Sequence, residues 1–148
     1  MKRIVTAIAT LSLLCLFASE FAPAVQAADA AAKVTTPADR IVVMYFHRTQ
    51  RCPTCRKMGG YSEEAVKSGF AQEIKARKVE FHFIDFQDEK NEALTKGYQV
   101  GAPTLIVAKV VDNKVAEHKN LTEIWEKVGD KDAFAKYVQD NVKEYQKK

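Results

Sequence analysis

Cysteine is scarce in this chain of 148 residues, which contains three: Cys15, Cys52 and Cys55. Cys15 lies in an apolar N-terminal segment, so the part of the chain that we expect to fold holds only Cys52 and Cys55. A bridge between these two would close a very short loop and restrain little of the unfolded chain. A closed zinc site needs four ligands, so histidines would have to complete one. Because the closed loop would be so short, a structural staple is the weakest interpretation of the pair. A redox couple or part of a metal site remains.

A large excess of charge of one sign is missing as well. Lysine and arginine together number 23 and aspartate and glutamate 19, which gives a net charge of +4 spread through the chain. Nucleic-acid binding requires basic residues clustered on one face or stripe. We therefore predict no nucleic-acid partner.

The chain also lacks an apolar run of the roughly 20 residues that would span a bilayer. Lys2 and Arg3 precede an apolar stretch from Ile4 to Phe17. The segment then ends in Val25-Gln26-Ala27, with a small residue on each side of Gln26. This order predicts a secretory signal peptide over residues 1–27, cleaved near Ala27, and hence a periplasmic or secreted protein without stable membrane insertion. Residues 28–40 are small and polar and predict a flexible leader, and residues 41–148 predict one domain.

The remaining pattern predicts an α/β domain. Residues 41–46, 79–86, 103–111 and 115–118 are the candidate strands, since they are apolar and rich in β-branched or aromatic residues or flanked by turn signals. Helices are predicted from Pro53, with an interruption or a kink at Gly59 and Gly60 and a new start at Ser62, and over residues 89–98. A last helix is predicted after Asp130, which can cap its N-terminus. The order β-α-β-α-β-β-α indicates a four-stranded mixed sheet. Its first two strands should be parallel, its last two should form a hairpin, and helices should cover both faces.

The pair itself stands in the sequence RCPTCRK, residues 51–57, directly after the first strand. A cysteine at a helix start meets free backbone N–H groups and the positive end of the helix dipole, which both favour the thiolate. Cys52 is therefore predicted to attack disulfides and Cys55 to resolve the mixed disulfide. The cations of this region should further favour the thiolate and make the couple more oxidising, or else be ordinary solvated charges. They are Arg48, Arg51, Arg56 and Lys57.

The strand–CxxC–helix unit, followed by Gly101-Ala102-Pro103-Thr104 at the start of a strand, resembles the thioredoxin superfamily over about residues 40–146. The resemblance implies a compact thioredoxin-like fold and thiol–disulfide oxidoreductase activity that uses no bound cofactor or metal. It implies that Pro103 is a cis-proline facing the cysteines and that the backbone of Ala102 pairs with the substrate chain.

Several positions depart from the thioredoxin pattern. Pro53 and Thr54 separate the cysteines where thioredoxins have Gly-Pro, and Arg51 replaces an aromatic residue. The buried Asp–Lys pair of thioredoxins aligns with Phe46 and Phe81, which would remove the usual proton acceptor for Cys55.

His47, five residues before Cys52, is a candidate base or charge partner, because a protonated imidazole near the pair would favour the thiolate. The alternative is a strand-end histidine without a catalytic role. We therefore expect Arg51, Pro53, Thr54 and His47 to modulate the cysteine pair.

The sequence thus predicts an exported, monomeric oxidoreductase that exchanges disulfides with cysteine-containing exported proteins and with a further redox partner. The chain shows no large helical insert and in this respect resembles periplasmic reductases more than oxidases. The basic cluster, in contrast, favours an oxidising couple. Two other functions remain open. One is a Cu(I)- or zinc-handling CxxC module, and the other is a binding module on the same fold without a redox role.

Overall fold

The computed structural model describes residues 36–147. The predicted signal peptide and most of the predicted leader lie outside these residues. The described residues contain four strands and five α-helices, which include the predicted order together with two further short helices, one before the second strand and one after the last strand. Their bounds are β1 Arg40–His47, α1 Pro53–Gly69, α2 Ala71–Lys75, β2 Val79–Asp85, a 3₁₀ turn Glu89–Asn91, α3 Glu92–Gly97, β3 Thr104–Val111, β4 Lys114–Asn120, α4 Ile124–Lys127 and α5 Lys131–Lys147.

The four strands form one mixed sheet in the order β2-β1-β3-β4. Strand β1 is parallel to β2 and antiparallel to β3, and β3 is antiparallel to β4. The predicted α/β class, the parallel first pair and the final hairpin are therefore confirmed. The order places β1, which leads into the cysteine pair, in the interior of the sheet and next to the strand that follows Pro103.

Side chains of β1 alternate between the two faces of the sheet, as the two-residue period of a strand requires. Val43 and Tyr45 face the larger core, which packs under α1 and α5, whereas Met44 and Phe46 face a smaller core near α3. Helices thus cover both faces, as predicted. None of the helices among residues 36–147 is long and apolar enough to cross a membrane.

The last helix follows its sequence signals closely. The Asp130 carboxylate accepts hydrogen bonds from the backbone N–H groups of Asp132 and Ala133, each at 3.0 Å, and so caps the N-terminus of α5. The apolar face of α5 is buried in the larger core. It consists of Phe134, Val138, Val142 and Tyr145.

The predicted interruption of the first helix at Gly59 and Gly60 is wrong, because α1 is continuous from Pro53 to Gly69. The Ser62 hydroxyl is buried and donates to the carbonyl oxygen of Met58 at 2.8 Å, so Ser62 does not cap a new helix. Gly59 instead permits close packing: a Cβ there would lie 2.9 Å from Cε1 of Tyr45. The glycine lets α1 approach the aromatic side chains of β1 and β2.

Gly59→Ala should lower the free energy of unfolding relative to Gly60→Ala. Both changes gain about 1 kcal/mol of helix propensity. Only the Cβ at position 59 enters occupied space, and overpacking of this kind costs about 1–3 kcal/mol. A Cβ at Gly60 meets nothing within 4 Å. Urea unfolding of the two variants measures the difference, and equal stabilities would contradict the close-packing role of Gly59.

Candidate active site

The cysteine pair lies where β1 passes into α1. Cys52 is the N-cap of α1, with an extended backbone (φ −67°, ψ 162°), and Pro53 takes the first helical turn. The Cys52 Sγ accepts a hydrogen bond from the backbone N–H of Cys55 at 3.1 Å. Cys52 is exposed and Cys55 is buried, and both thiols are free in the structure. The predicted placement of an accessible cysteine at the helix start, with a buried partner one turn inward, is therefore present.

The two thiols differ in their electrostatic environment. Hydrogen bonds from the thiol and backbone N–H of Cys55 lower the pKa of Cys52, and the backbone N–H of Thr54 adds a smaller effect. Burial raises the pKa of Cys55, and the hydrogen bond to Cys52 and the charge of its thiolate raise it further. A negative charge is thus favoured on Cys52 while Cys55 keeps its proton. This is the division that an attacking and a resolving cysteine require.

Tyr45, and not Phe46, lies beneath Cys55. The Tyr45 hydroxyl donates to the carbonyl oxygen of Cys55 at 2.8 Å, whereas Phe46 is buried in the core on the opposite face. The alignment of Phe46 under the cysteines is therefore wrong, because one step along a strand turns the side chain to the other face. Burial raises the pKa of Tyr45 most, so its hydroxyl stays protonated and acts as a donor rather than as a base.

His47 is buried at the end of β1 and is hydrogen-bonded by the loop that leads to Cys52. A guanidinium can only donate, so His47 Nε2 accepts from Arg51 at 2.6 Å. Nδ1 then donates to the carbonyl oxygen of Arg48 at 3.0 Å. With these partners Nε2 is the acceptor of the ring and Nδ1 its donor. The hydrogen bonds of this ring to Arg48 and Arg51 lead to the loop rather than to either thiol, and a catalytic role for His47 stays a prediction.

Arg51 is turned towards the aromatic side chains of the sheet. Its guanidinium lies 5.1 Å from the centre of the Phe83 ring, within range of a cation–π interaction. Phe83 in turn packs edge-to-face against Tyr45, with ring centres 6.1 Å apart. The acidic neighbour on this side is Asp85, whose pKa is lowered mainly by the backbone N–H of Gln87 and in small part by Arg51. The guanidinium of Arg51 therefore interacts with groups of the protein itself, namely His47 and Phe83.

Pro103 comes next to the cysteine pair, as the resemblance implied. It is buried and lines a cleft of about 270 Å³ whose other walls carry both cysteines and the side chains Arg48, Gln50 and Trp125. Ala102 is exposed and lines the neighbouring cleft, which also contains Pro103 and Trp125. The docking role of Ala102 and the cis form of the bond before Pro103 stay predictions.

Sequence reasoning missed Trp125 and Tyr45. The indole Nε1–H of Trp125 donates to the carbonyl oxygen of Pro103 at 3.0 Å, which holds the ring beside the cysteines. The only signal in the sequence was that the single tryptophan of the chain lies in the connection between β4 and α5. Among residues 36–147 no group of three or more His, Cys, Asp or Glu side chains is placed to hold a metal ion.

Comparison with known proteins adds a structural likeness. No protein-family model matches the chain, and no curated protein matches it. The thioredoxin of Fasciola hepatica is 25% identical over 61% of this chain and 79% of its own, with a TM-score of 0.37. Thioredoxin O2 of Arabidopsis thaliana is 15% identical over 65% and 76%, with a TM-score of 0.39. Desulfothioredoxin of Desulfovibrio vulgaris Hildenborough is 23% identical over 60% and 81%, with a TM-score of 0.36.

The fold of this chain is thioredoxin-like. We assign it on the order and directions of the four strands, on the helices that cover both faces, and on the CxxC pair between β1 and α1.

Cys52 should be alkylated before Cys55 in the reduced protein. With Cys15 replaced by serine, the pH profile of iodoacetamide labelling at Cys52 should have its midpoint below the ordinary thiol value of about 8.5. Cys55 should react only at higher pH, because burial raises its pKa. Mass spectrometry of the labelled peptides separates the two sites.

The matched variant is Cys55→Ala, which removes the thiol donor and keeps the backbone N–H. Its Cys52 midpoint should move up towards the ordinary value without reaching it, because the backbone hydrogen bond remains. Preferential labelling of Cys55 in the parent protein would contradict the assignment.

Proposed function

We propose that this protein is an exported thiol–disulfide oxidoreductase that reduces disulfides of other exported proteins. The observation that supports it most is the placement of Cys52 as the exposed N-cap of α1, with its Sγ hydrogen-bonded by the buried Cys55. A thiolate is the nucleophile in disulfide exchange, and this position favours the thiolate. Pro103, next to the pair, gives the substrate chain a backbone to lie against.

The reaction that this arrangement supports has two steps. The Cys52 thiolate attacks one sulfur of a substrate disulfide, forms a mixed disulfide with it, and the second substrate sulfur leaves as a thiolate. The Cys55 thiol then attacks Cys52 Sγ, which forms the Cys52–Cys55 disulfide and releases the substrate sulfur that was bonded to Cys52. This sulfur takes the proton of Cys55. Two electrons pass from the dithiol to the substrate. A further dithiol partner must reduce the pair again.

The reducing direction is supported by the surroundings of Cys52. The pKa of Cys52 is lowered first of all by the hydrogen bonds from Cys55, which belong to the motif itself. Arg51, the adjacent cation, is engaged by His47 and the ring of Phe83. A cation turned away from the thiolate stabilises the reduced form less, and a less stabilised reduced form makes a weaker oxidant. The basic residues therefore argue less for an oxidase than their number in the sequence suggests.

The remaining parts of the proposal follow from the sequence. The basic, apolar and small-residue order of residues 1–27 supports export to the periplasm or the exterior, where disulfides persist. Partners are then cysteine-containing exported proteins and a redox donor. The electrons are carried by the two cysteines, so the proposed reaction uses no bound cofactor, and the protein is proposed to act as a monomer.

Cys52→Ser should abolish disulfide reduction, and Cys55→Ser should stop it after the first step. With insulin as the disulfide substrate and dithiothreitol as the electron source, the parent protein should accelerate precipitation of the B chain. Cys52→Ser should fall to the uncatalysed rate. Cys55→Ser, reduced first and then freed of dithiothreitol, should accumulate a covalent adduct with insulin, visible by mass spectrometry, because the resolving thiol is missing.

The same pair of variants tests the competing functions. If the protein is a binding module, Cys52→Ser should bind its partner as the parent protein does. If it is a metal-handling module, the reduced parent protein should bind Cu(I) or zinc stoichiometrically and show no exchange activity. Insulin reduction by Cys52→Ser at the parental rate would contradict the proposal.

A further inference from the structure

The cleft beside Cys52 has a chemically mixed lining. The aromatic Trp125 and the cationic Arg48 both line it, together with Gln50, the cysteine pair and Pro103. A substrate disulfide that reaches Cys52 Sγ brings its neighbouring residues to these side chains. The lining can therefore discriminate between partner segments.

Trp125 presents a fixed apolar surface. Its side chain is 44% exposed, although most large apolar side chains of the described residues are buried. The hydrogen bond from its indole N–H to Pro103 restrains the ring, so little side-chain entropy is lost when a partner packs on it. Trp125 also lines the neighbouring cleft together with Ala102, so a chain that lies along the Pro103 loop passes the indole. An exposed and restrained tryptophan of this kind suits an apolar side chain of a partner.

Arg48 presents a positive charge that the described residues leave unmatched. The salt bridges among residues 36–147 do not include Arg48, Arg51, Arg56 or Lys57. Arg51 is held by His47 and Phe83. Arg48 is exposed and lines the cleft itself. Charge complementarity therefore favours an acidic side chain beside the cysteine that enters.

We propose that Trp125 and Arg48 are specificity-determining residues that select extended segments in which the reacting cysteine lies between an acidic and an apolar side chain. The acidic side chain pairs with Arg48 and the apolar one packs on Trp125. This inference rests on the proposed function. The chemistry is the first exchange step: a bond forms between Cys52 and the partner cysteine, and the former partner of that cysteine leaves as a thiolate.

The test uses short peptides whose single cysteine carries a 2-nitro-5-thiobenzoate group as a mixed disulfide. This group leaves easily because its parent thiol has a low pKa, so Cys52 attacks the peptide sulfur and the released dye measures the rate. One pair of peptides has Asp or Lys next to cysteine, and a second pair has Leu or Ser. The reduced full chain with Cys15→Ser should react about fivefold faster with the Asp than with the Lys peptide at low salt, the size of an exposed ion pair.

Arg48→Gln should bring the Asp-to-Lys rate ratio close to one. The matched control is Arg56→Gln, which removes an equal charge from the first turn of α1 but does not line the cleft. Any change in the thiolate fraction of Cys52 affects both peptides alike and cancels in the ratio. Arg56→Gln should therefore keep most of the parental ratio. An unchanged ratio in Arg48→Gln, or an equal loss in both variants, would overturn the role of Arg48.

Trp125→Ser should remove the preference for Leu over Ser. Trp125→Phe keeps an aromatic surface without the N–H that donates to Pro103, and should keep the preference. A Leu-to-Ser ratio that does not change in Trp125→Ser would overturn the role of Trp125. If Trp125→Phe loses the Leu-to-Ser preference as fully as Trp125→Ser does, the preference depends on the position of the Pro103 loop. That result would also overturn the role of Trp125.

Hydroxyethyl disulfide, a small neutral substrate, distinguishes failure of the selectivity inference from failure of the proposed function. If the parent protein reacts with it through Cys52 and the peptide ratios equal one, only the selectivity inference fails. If the parent protein does not react with it at all, the proposed function itself fails.

Discussion

The hydrogen bond from the backbone N–H of Cys55 to the Sγ of Cys52 is the interaction on which the site depends. It exists because Cys52 is the last extended residue before α1, so the first turn of the helix points an unpaired N–H at its side chain. The same turn buries Cys55. One local geometry therefore lowers the pKa of one thiol, raises that of the other and keeps the two within reach.

The rest of the fold holds this turn in place. Strand β1, in the interior of the sheet, ends just before the loop to Cys52. Gly59 allows α1 to lie directly on Tyr45 and Phe83, and the Tyr45 hydroxyl donates back to the carbonyl oxygen of Cys55. The N-terminal part of α1 is thus held against the sheet by packing and by the hydrogen bond from Tyr45. Arg51, His47 and Phe83 hold the loop in a similar way.

Sequence patterns predicted the features that local chemistry determines. The apolar runs of β1 and β3, the capping by Asp130 and the helix start at Pro53 depend on neighbours along the chain, and all are present. The features that the sequence did not predict depend on contacts between distant segments. Tyr45 was missed because an alignment shifted by one residue reverses the face of a strand. Trp125 was missed because its role comes from its position beside Pro103, 22 residues earlier.

We propose above all that Cys52 and Cys55 form a redox couple that passes electrons to other proteins. The equilibrium reduction potential of this couple, measured against glutathione with Cys15 replaced, is the decisive quantity. We expect a reversible two-electron couple with a potential near that of thioredoxin, about −270 mV. A potential near −120 mV, which marks a strong oxidant, or the lack of any reversible couple would contradict it.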